Sequence, residues 1–347
     1  MTEQREDPCL LKAIHLRNPY DEMTDTQRMR VQELRQSNRI GTGQLEGNFG
    51  RGGSPRVAAP PPDTLARLGA AYSTLGSLDH AVSFYEQALA GFREKGDHLG
   101  EALTLTSLGE AYWAAREAQN ALRNYSQAVA LYRYLNNVIS EASALNCLGA
   151  ICREDGHPDL ALGYHEQALS LFWDAGDRAG EALTLDLIGM IQRITGDLKG
   201  ALASHLHSLE LRRVLGDREG EASTRHALGM VYELLGQADR AIAAFEMALQ
   251  VRRSSGDRQA EAATTYNLAR IYRQKGYLSE AETLMARVAH IESALNRSGL
   301  SSTEAELSEL RSQNRADRSI RDTGRMPAVR PDGDLAVTRP NPVIQHG

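Results

Sequence analysis

With 347 residues, a formal net charge of -6 at pH 7 and a pI near 6.0, the chain lacks the basic field that holds a phosphate backbone, so no direct nucleic-acid partner is expected. Cys9, Cys147 and Cys152 are odd in number and show no Cys-x-x-Cys spacing, which fits neither a disulfide framework nor a zinc site. No run approaches the roughly 18 apolar residues of a membrane span. The opening MTEQREDP mixes both charges where a secretory signal would be basic and then apolar, so a cytoplasmic protein is expected.

Residues 1–62 are expected to be mostly disordered. A short helix can form over Thr24 to Arg39, and the Gly- and Pro-rich stretch 41–62 (GTGQLEGNFGRGGSPRVAAPPP) has the composition of a flexible tether. A repeat begins after it. Gly-Asp pairs at 96–97, 176–177, 216–217 and 256–257 are separated by steps of 80, 40 and 40, and the missing member falls at Asn136-Asn137. Gly takes the left-handed conformation that ends one helix and Asp caps the start of the next, while Asn can serve in either position. A second break divides each unit, at Gly76, Gly156, Gly196, Gly236 and Gly276, with Arg116 as the exception.

Other columns keep the same step. Ala81, Ala121, Ala161, Ala201, Ala241 and Ala281 align, as do Gly69, Gly109, Gly149, Gly189 and Gly229, with Ala269 closing the series. Small residues at fixed points imply close helix crossings. Six helical pairs are predicted at 63–95, 98–135, 138–175, 178–215, 218–255 and 258–295, within a repeat region of 63–297. One pair cannot bury its apolar face alone, so stacking neighbours must supply the core. A capping helix is expected within 298–313, near Thr303 to Gln313. From 314 to 347 the Arg-, Asp- and Pro-containing chain has too few apolar residues to order itself and is expected to be a disordered tail.

Leu-Gly-x-x-Tyr on the first helix, Ala opening the second, and an aromatic followed three residues later by Ala (Tyr125 and Ala128, Phe245 and Ala248) resemble the tetratricopeptide repeat. The forty-residue period and phrases such as GDREGEASTRHALGMVY are similar to the long-period subclass of bacterial regulator sensor arrays and spindle-orientation scaffolds. The resemblance implies an all-α, right-handed solenoid of about six hairpins whose concave groove, lined by first helices, holds an extended or helical peptide. It departs from the spindle scaffolds after the Leu-Gly pair, where Glu110, Ala150, Met190, Met230 and Arg270 replace their Asn.

Projecting the positions three before, one after and four after the repeat glycine onto that groove gives a partner-binding set: Glu110, Trp113, Asn146, Arg153, Asp186, Arg193, His226, Glu233, Tyr266, Arg270 and Arg273. Arginines and aromatics are frequent binding anchors, and Arg270 and Arg273 beside Tyr266 favour a protein or peptide ligand with an acidic or aromatic segment. The function expected is a non-enzymatic scaffold or adaptor; the alternative is a peptide-sensing signalling receptor whose array changes shape. The glutamates at 101, 141, 181, 221 and 261 sit in first turns, where they favour the helix dipole. His165 and His205 share a column with Tyr125 and Phe245, which suits packing better than metal binding. No phosphate-loop, zinc-protease or nucleophile-elbow motif occurs, so neither catalysis nor a cofactor or metal is expected.

Overall fold

The computed structural model describes residues 60–295 and 300–322, and every element within them is α-helical. The helices are α1 (Pro62–Thr74), α2 (Leu78–Lys95), α3 (His98–Ala114), α4 (Ala118–Tyr134), α5 (Val138–Glu154), α6 (Pro158–Ala175), α7 (Arg178–Thr195), α8 (Leu198–Leu215), α9 (Arg218–Leu234), α10 (Ala238–Ser255), α11 (Arg258–Gln274), α12 (Leu278–Ala294) and α13 (Leu300–Asp322). Each odd-numbered helix to α11 forms a hairpin with its successor, giving six hairpins with boundaries within one residue of those predicted. The helix considered over Thr24 to Arg39, and nearly all of the tether before α1, lie outside the described residues.

The junctions follow the local chemistry of their residues. Gly96, Gly176, Gly216 and Gly256 end their helices in the left-handed region, and the carboxylates of Asp97, Asp177, Asp217 and Asp257 accept N–H bonds from the first turn of the next helix. Asn136 and Asn137 divide the same roles: Asn136 has φ 53° and the Asn137 side chain accepts from the Ser140 N–H at 3.2 Å. Arg116 takes φ 64° at the break inside the second hairpin, where the other hairpins have glycine.

Hairpins are held together by the crossing that the small-residue columns predict. Tyr85, Tyr125, His165, His205 and Phe245 of the second helices lie on Gly69, Gly109, Gly149, Gly189 and Gly229 of the first, so closely that a Cβ on any of these glycines would fall 2.6–2.7 Å from the ring. The sixth hairpin has Ala269 and the flexible Met285 in the same core cluster, a pairing that leaves room for the methyl group. Hairpins stack through each second helix against the next first helix, and first helices also approach the first helix one hairpin on, more closely than second helices approach each other. That inequality curves the stack and puts the first helices on its inner face.

Helix α13 closes the array. Leu307 and Leu310 join the core of the sixth hairpin, and Thr303 donates to a buried Glu292 carboxylate at 2.6 Å. The helix takes in 314–322, residues assigned above to the tail. A reason is visible at Asn314, which is buried and donates to Glu282 at 2.7 Å. Residues 323–347 lie outside the described part.

A side chain in the left-handed region is strained relative to glycine, by an amount that depends on whether it can bond locally, as Asn does. Arg116→Gly should therefore raise the free energy of unfolding by about 0.5–1 kcal/mol, and Asn136→Gly by clearly less. Urea denaturation of both variants checks the order; a destabilised Arg116→Gly would contradict this account.

Candidate functional site

The column three residues before the repeat glycine lies differently from its projection onto an open groove. Asn146, Asp186, His226 and Tyr266 are all buried, and each bonds to a neighbouring hairpin or to the cap. Asn146 Nδ2 donates to Thr184 Oγ1 at 2.8 Å, and its Oδ1 lies 2.9 Å from His165 Nδ1. Thr224 Oγ1 donates to Asp186 Oδ2 at 2.7 Å, and His226 Nδ1 stands 3.0 Å from Thr264 Oγ1. Tyr266 donates from its hydroxyl to Glu306 of α13 at 3.1 Å. These side chains form a polar ladder that stitches successive first helices. A helix face projected in isolation misses it, because the next helix covers that face.

The ladder is most charged between α7, α8 and α9. Arg212 Nη2 meets Asp186 Oδ2 at 3.0 Å, and its Nη1 meets the capping Asp217 at 2.7 Å. His205 Nδ1 lies 2.9 Å from Asp186 Oδ1. Burial pushes the Asp186 carboxyl upward, but the His205 hydrogen bond, the Arg212 charge and the Thr224 hydroxyl outweigh it and hold the group below the usual carboxylate range. Arg212 was not singled out above, although its column carries a signal: Phe92, Tyr132 and Phe172 are followed by Arg212 and Arg252. The aromatic joints of the first hairpins give way to buried arginines in the later ones, with an ion pair at Arg212.

The side chains of the projected set that remain partly accessible are Glu110, Trp113, Arg153, Arg193, Glu233, Arg270 and Arg273. Arg270 Nη2 pairs with Glu233 Oε2 at 2.6 Å, and Arg273 Nη2 with Glu309 Oε1 at 2.8 Å. The two C-terminal arginines thus already hold carboxylates of this chain, which an acidic ligand would have to displace. Arg153 approaches Glu154 at 3.4 Å. Ala150, Met190 and Met230, one after the repeat glycine, are buried.

Nothing in this region has the character of an activated nucleophile. Burial pushes the Cys147 thiol up to about 12, with the Glu110 charge adding to the effect, and burial also raises Cys152. Among the described residues no group of three or more His, Cys, Asp or Glu side chains is placed to hold a metal ion, and no described helix is long and apolar enough to cross a membrane.

Two buried histidines make the array acid-sensitive. Burial, reinforced by the Arg153 charge, lowers His165 from 6.5 to about 3; burial, with Arg252 and Arg193, takes His226 well below its ordinary value. Both imidazoles are neutral in the folded chain and protonate near their ordinary value when unfolded. As pH falls below about 6.5 the unfolded state alone gains protons, so stability is lost by up to about 1.4 kcal/mol per pH unit for each histidine. His165→Tyr, which installs the ring found at Tyr85 and Tyr125, should flatten the fall in urea midpoint between about pH 6 and pH 4. An unchanged slope would mean that His165 contributes none of it.

The model of the tetratricopeptide repeat family matches residues 62–133, 140–213, 180–254 and 220–289, which together make up more than half of the chain. No curated protein matches. Among solved structures, the chain is similar to BtubC from P. vanneervenii, at 21% identity and TM-score 0.55, over 67% of this chain and 92% of that one. It is similar to a Rap protein complexed with Competence and Sporulation Factor, at 15% identity and TM-score 0.55, over 90% and 89% of the two chains. A signal-transduction ATPase with a tetratricopeptide repeat sensor from Pyrococcus horikoshii matches at 14% identity and TM-score 0.54, over 74% of this chain and 43% of that one. At such identities the likeness concerns the fold, and it agrees with the hairpin stack described above. On the evidence of the matched repeats, this chain belongs to the tetratricopeptide repeat family.

Proposed function

We propose that the chain is a non-enzymatic scaffold or adaptor that binds a protein or peptide along the inner face formed by its first helices. The observation that carries this reading is a strip of partly accessible side chains four residues after each repeat glycine. It runs through Trp113, Arg153, Arg193, Glu233 and Arg273, one in each hairpin from the second to the sixth. An indole and three guanidinium groups, with Glu233 between the last two, suit an extended partner with acidic or aromatic side chains, because planar cations grip carboxylates in pairs and stack on rings. Arg270 pairs with Glu233, Arg273 with Glu309 and Arg153 with Glu154, so an acidic ligand would compete with carboxylates of this chain along the strip. Glu110 and Arg270 flank the strip. The cytoplasmic setting and the absence of nucleic-acid contacts belong to the same reading, and rest on the composition.

A second reading, a peptide-sensing regulator whose array changes curvature, is favoured by the ionic joint at Asp186 and Arg212. Rigid-body switching transitions repack ion pairs at joints, and Arg212 joins Asp186 of its own hairpin to Asp217 at the start of the next. A similar fold has been crystallised in complex with Competence and Sporulation Factor. The two readings share a binding face and differ in whether occupancy alters the shape.

Affinity capture from native cell extract tests the first reading, comparing wild type with Arg153→Glu/Arg193→Glu and with Arg270→Glu/Arg273→Glu. A partner kept by wild type should be lost, by about tenfold or more, from at least one of the two variants. Equal capture by all three would remove the inner strip from consideration. With a captured partner in hand, small-angle scattering decides the second reading, which requires the radius of gyration to change on binding.

A further inference from the structure

The glutamate column at 101, 141, 181, 221 and 261 has a recurrent partner. The residue eight positions earlier, on the last turn of the preceding second helix, is Arg93, Arg133, Arg213 or Arg253 in four of the five hairpin junctions. These guanidinium groups reach their glutamates at 2.7, 2.7, 3.2 and 3.3 Å. At the α6–α7 junction the same position is Trp173.

The consequence is local and chemical. Glu181 is 1% exposed, and its Oε1 is buried without a hydrogen-bond partner. Its other oxygen accepts from Arg178 Nη1 at 2.7 Å, and His207 Nε2 lies 3.7 Å from Oε1, beyond hydrogen-bond range. The equivalent carboxylate two hairpins on shows what the site holds when filled. Glu261 Oε2 accepts from Arg258 as Glu181 Oε2 does from Arg178, but its Oε1 is also met by Arg253 at 3.3 Å and by Arg287 through Nε and Nη2 at 3.2 and 3.0 Å. His207 stands where Arg287 stands, and Trp173 where Arg253 stands. One first-turn carboxylate in this fold therefore accommodates three guanidinium groups, whereas Glu181 has one.

The flanks suit the same ligand. Trp173 is 56% exposed, presenting indole surface beside the carboxylate, and Arg178 already lies 5.1 Å from its ring centroid, so a guanidinium over this indole is an arrangement the structure adopts. His207 is half-exposed. A buried, unpaired carboxylate oxygen costs free energy that a charged donor would recover, and a planar cation with several N–H groups can satisfy it while stacking on the indole.

We propose that the junction formed by Trp173, Glu181 and His207 is a receptor site for an arginine side chain of a partner protein, which supplies in trans the guanidinium that the other junctions supply in cis. The site is built from the end of one second helix, the start of a first helix and the outer side of the next second helix, away from the inner strip. It does not depend on the inner-face reading.

The test uses the full chain and the blocked tripeptides acetyl-Ala-Arg-Ala-amide and acetyl-Ala-citrulline-Ala-amide, with binding followed from the peptide side by NMR. The arginine peptide should bind saturably, about tenfold or more tighter than the neutral citrulline peptide, and Glu181→Gln should abolish the difference. Trp173→Arg restores the guanidinium found in the other four junctions. It should fold with an unchanged helical circular-dichroism signal yet lose the arginine peptide by a similar factor, so the test stands even if Glu181→Gln fails to fold. No saturable binding, equal binding of the two peptides, or undiminished binding to Trp173→Arg would each overturn the proposal. Arg153→Glu/Arg193→Glu should leave this binding unchanged, which separates failure here from failure of the inner-face reading.

Discussion

The first five hairpins depend on a ring seated on a bare backbone. Where Tyr85, Tyr125, His165, His205 or Phe245 crosses a first helix, the glycine beneath has no side chain to hold the helices apart, and a single methyl group would collide with the ring. The close crossing brings the flanking aliphatic residues of the two helices within packing distance, and buried apolar contacts of that kind supply most of a domain's stability. Conserving the crossing from hairpin to hairpin keeps the hairpins superimposable, and superimposable hairpins generate a regular superhelix.

Hairpin-to-hairpin joints are less uniform than the hairpins themselves. The first joints are closed by Phe92, Tyr132 and Phe172; the later ones by Arg212 and Arg252, which are as deeply buried but bonded to Asp186, Asp217, Ala260 and Thr264. Burying an ion pair yields little net stability compared with an apolar joint of the same volume. The array thus combines N-terminal joints closed by aromatic rings with C-terminal joints closed by buried arginines. His165 and His205 show both principles at once: each is a packing ring over glycine on one side and a hydrogen-bonding partner of Asn146 or Asp186 on the other.

Charge also shapes the outer surface. A first-turn carboxylate in four of five junctions takes a guanidinium from the preceding second helix, linking hairpins as well as favouring the helix dipole, while Glu181 accepts only from Arg178 of its own helix. The guanidinium ends of these pairs face solvent, while their carboxylates lie mostly inside the protein. Their regularity makes the one junction with Trp173 conspicuous, since it leaves a carboxylate oxygen inside the protein without the partner that the rest of the column provides.

The hairpin count, the boundaries and the caps were legible in the chain itself because they depend on local backbone chemistry: left-handed Gly or Asn, a capping Asp or Asn, and small residues at forty-residue intervals act within a few residues of where they stand. The conformations at Arg116 and Asn136 follow from that period even though neither is glycine. The inner face was less legible. Whether Asn146, Asp186, His226 and Tyr266 meet solvent or a neighbouring helix depends on side chains 38 to 40 residues away, Thr184, Thr224, Thr264 and Glu306, and on how tightly the first helices close against one another. Helical periodicity says which residues share a face; only the stacked structure determines how much of that face the next hairpin covers, because the coverage is set by the curvature that the crossings of all the hairpins create together.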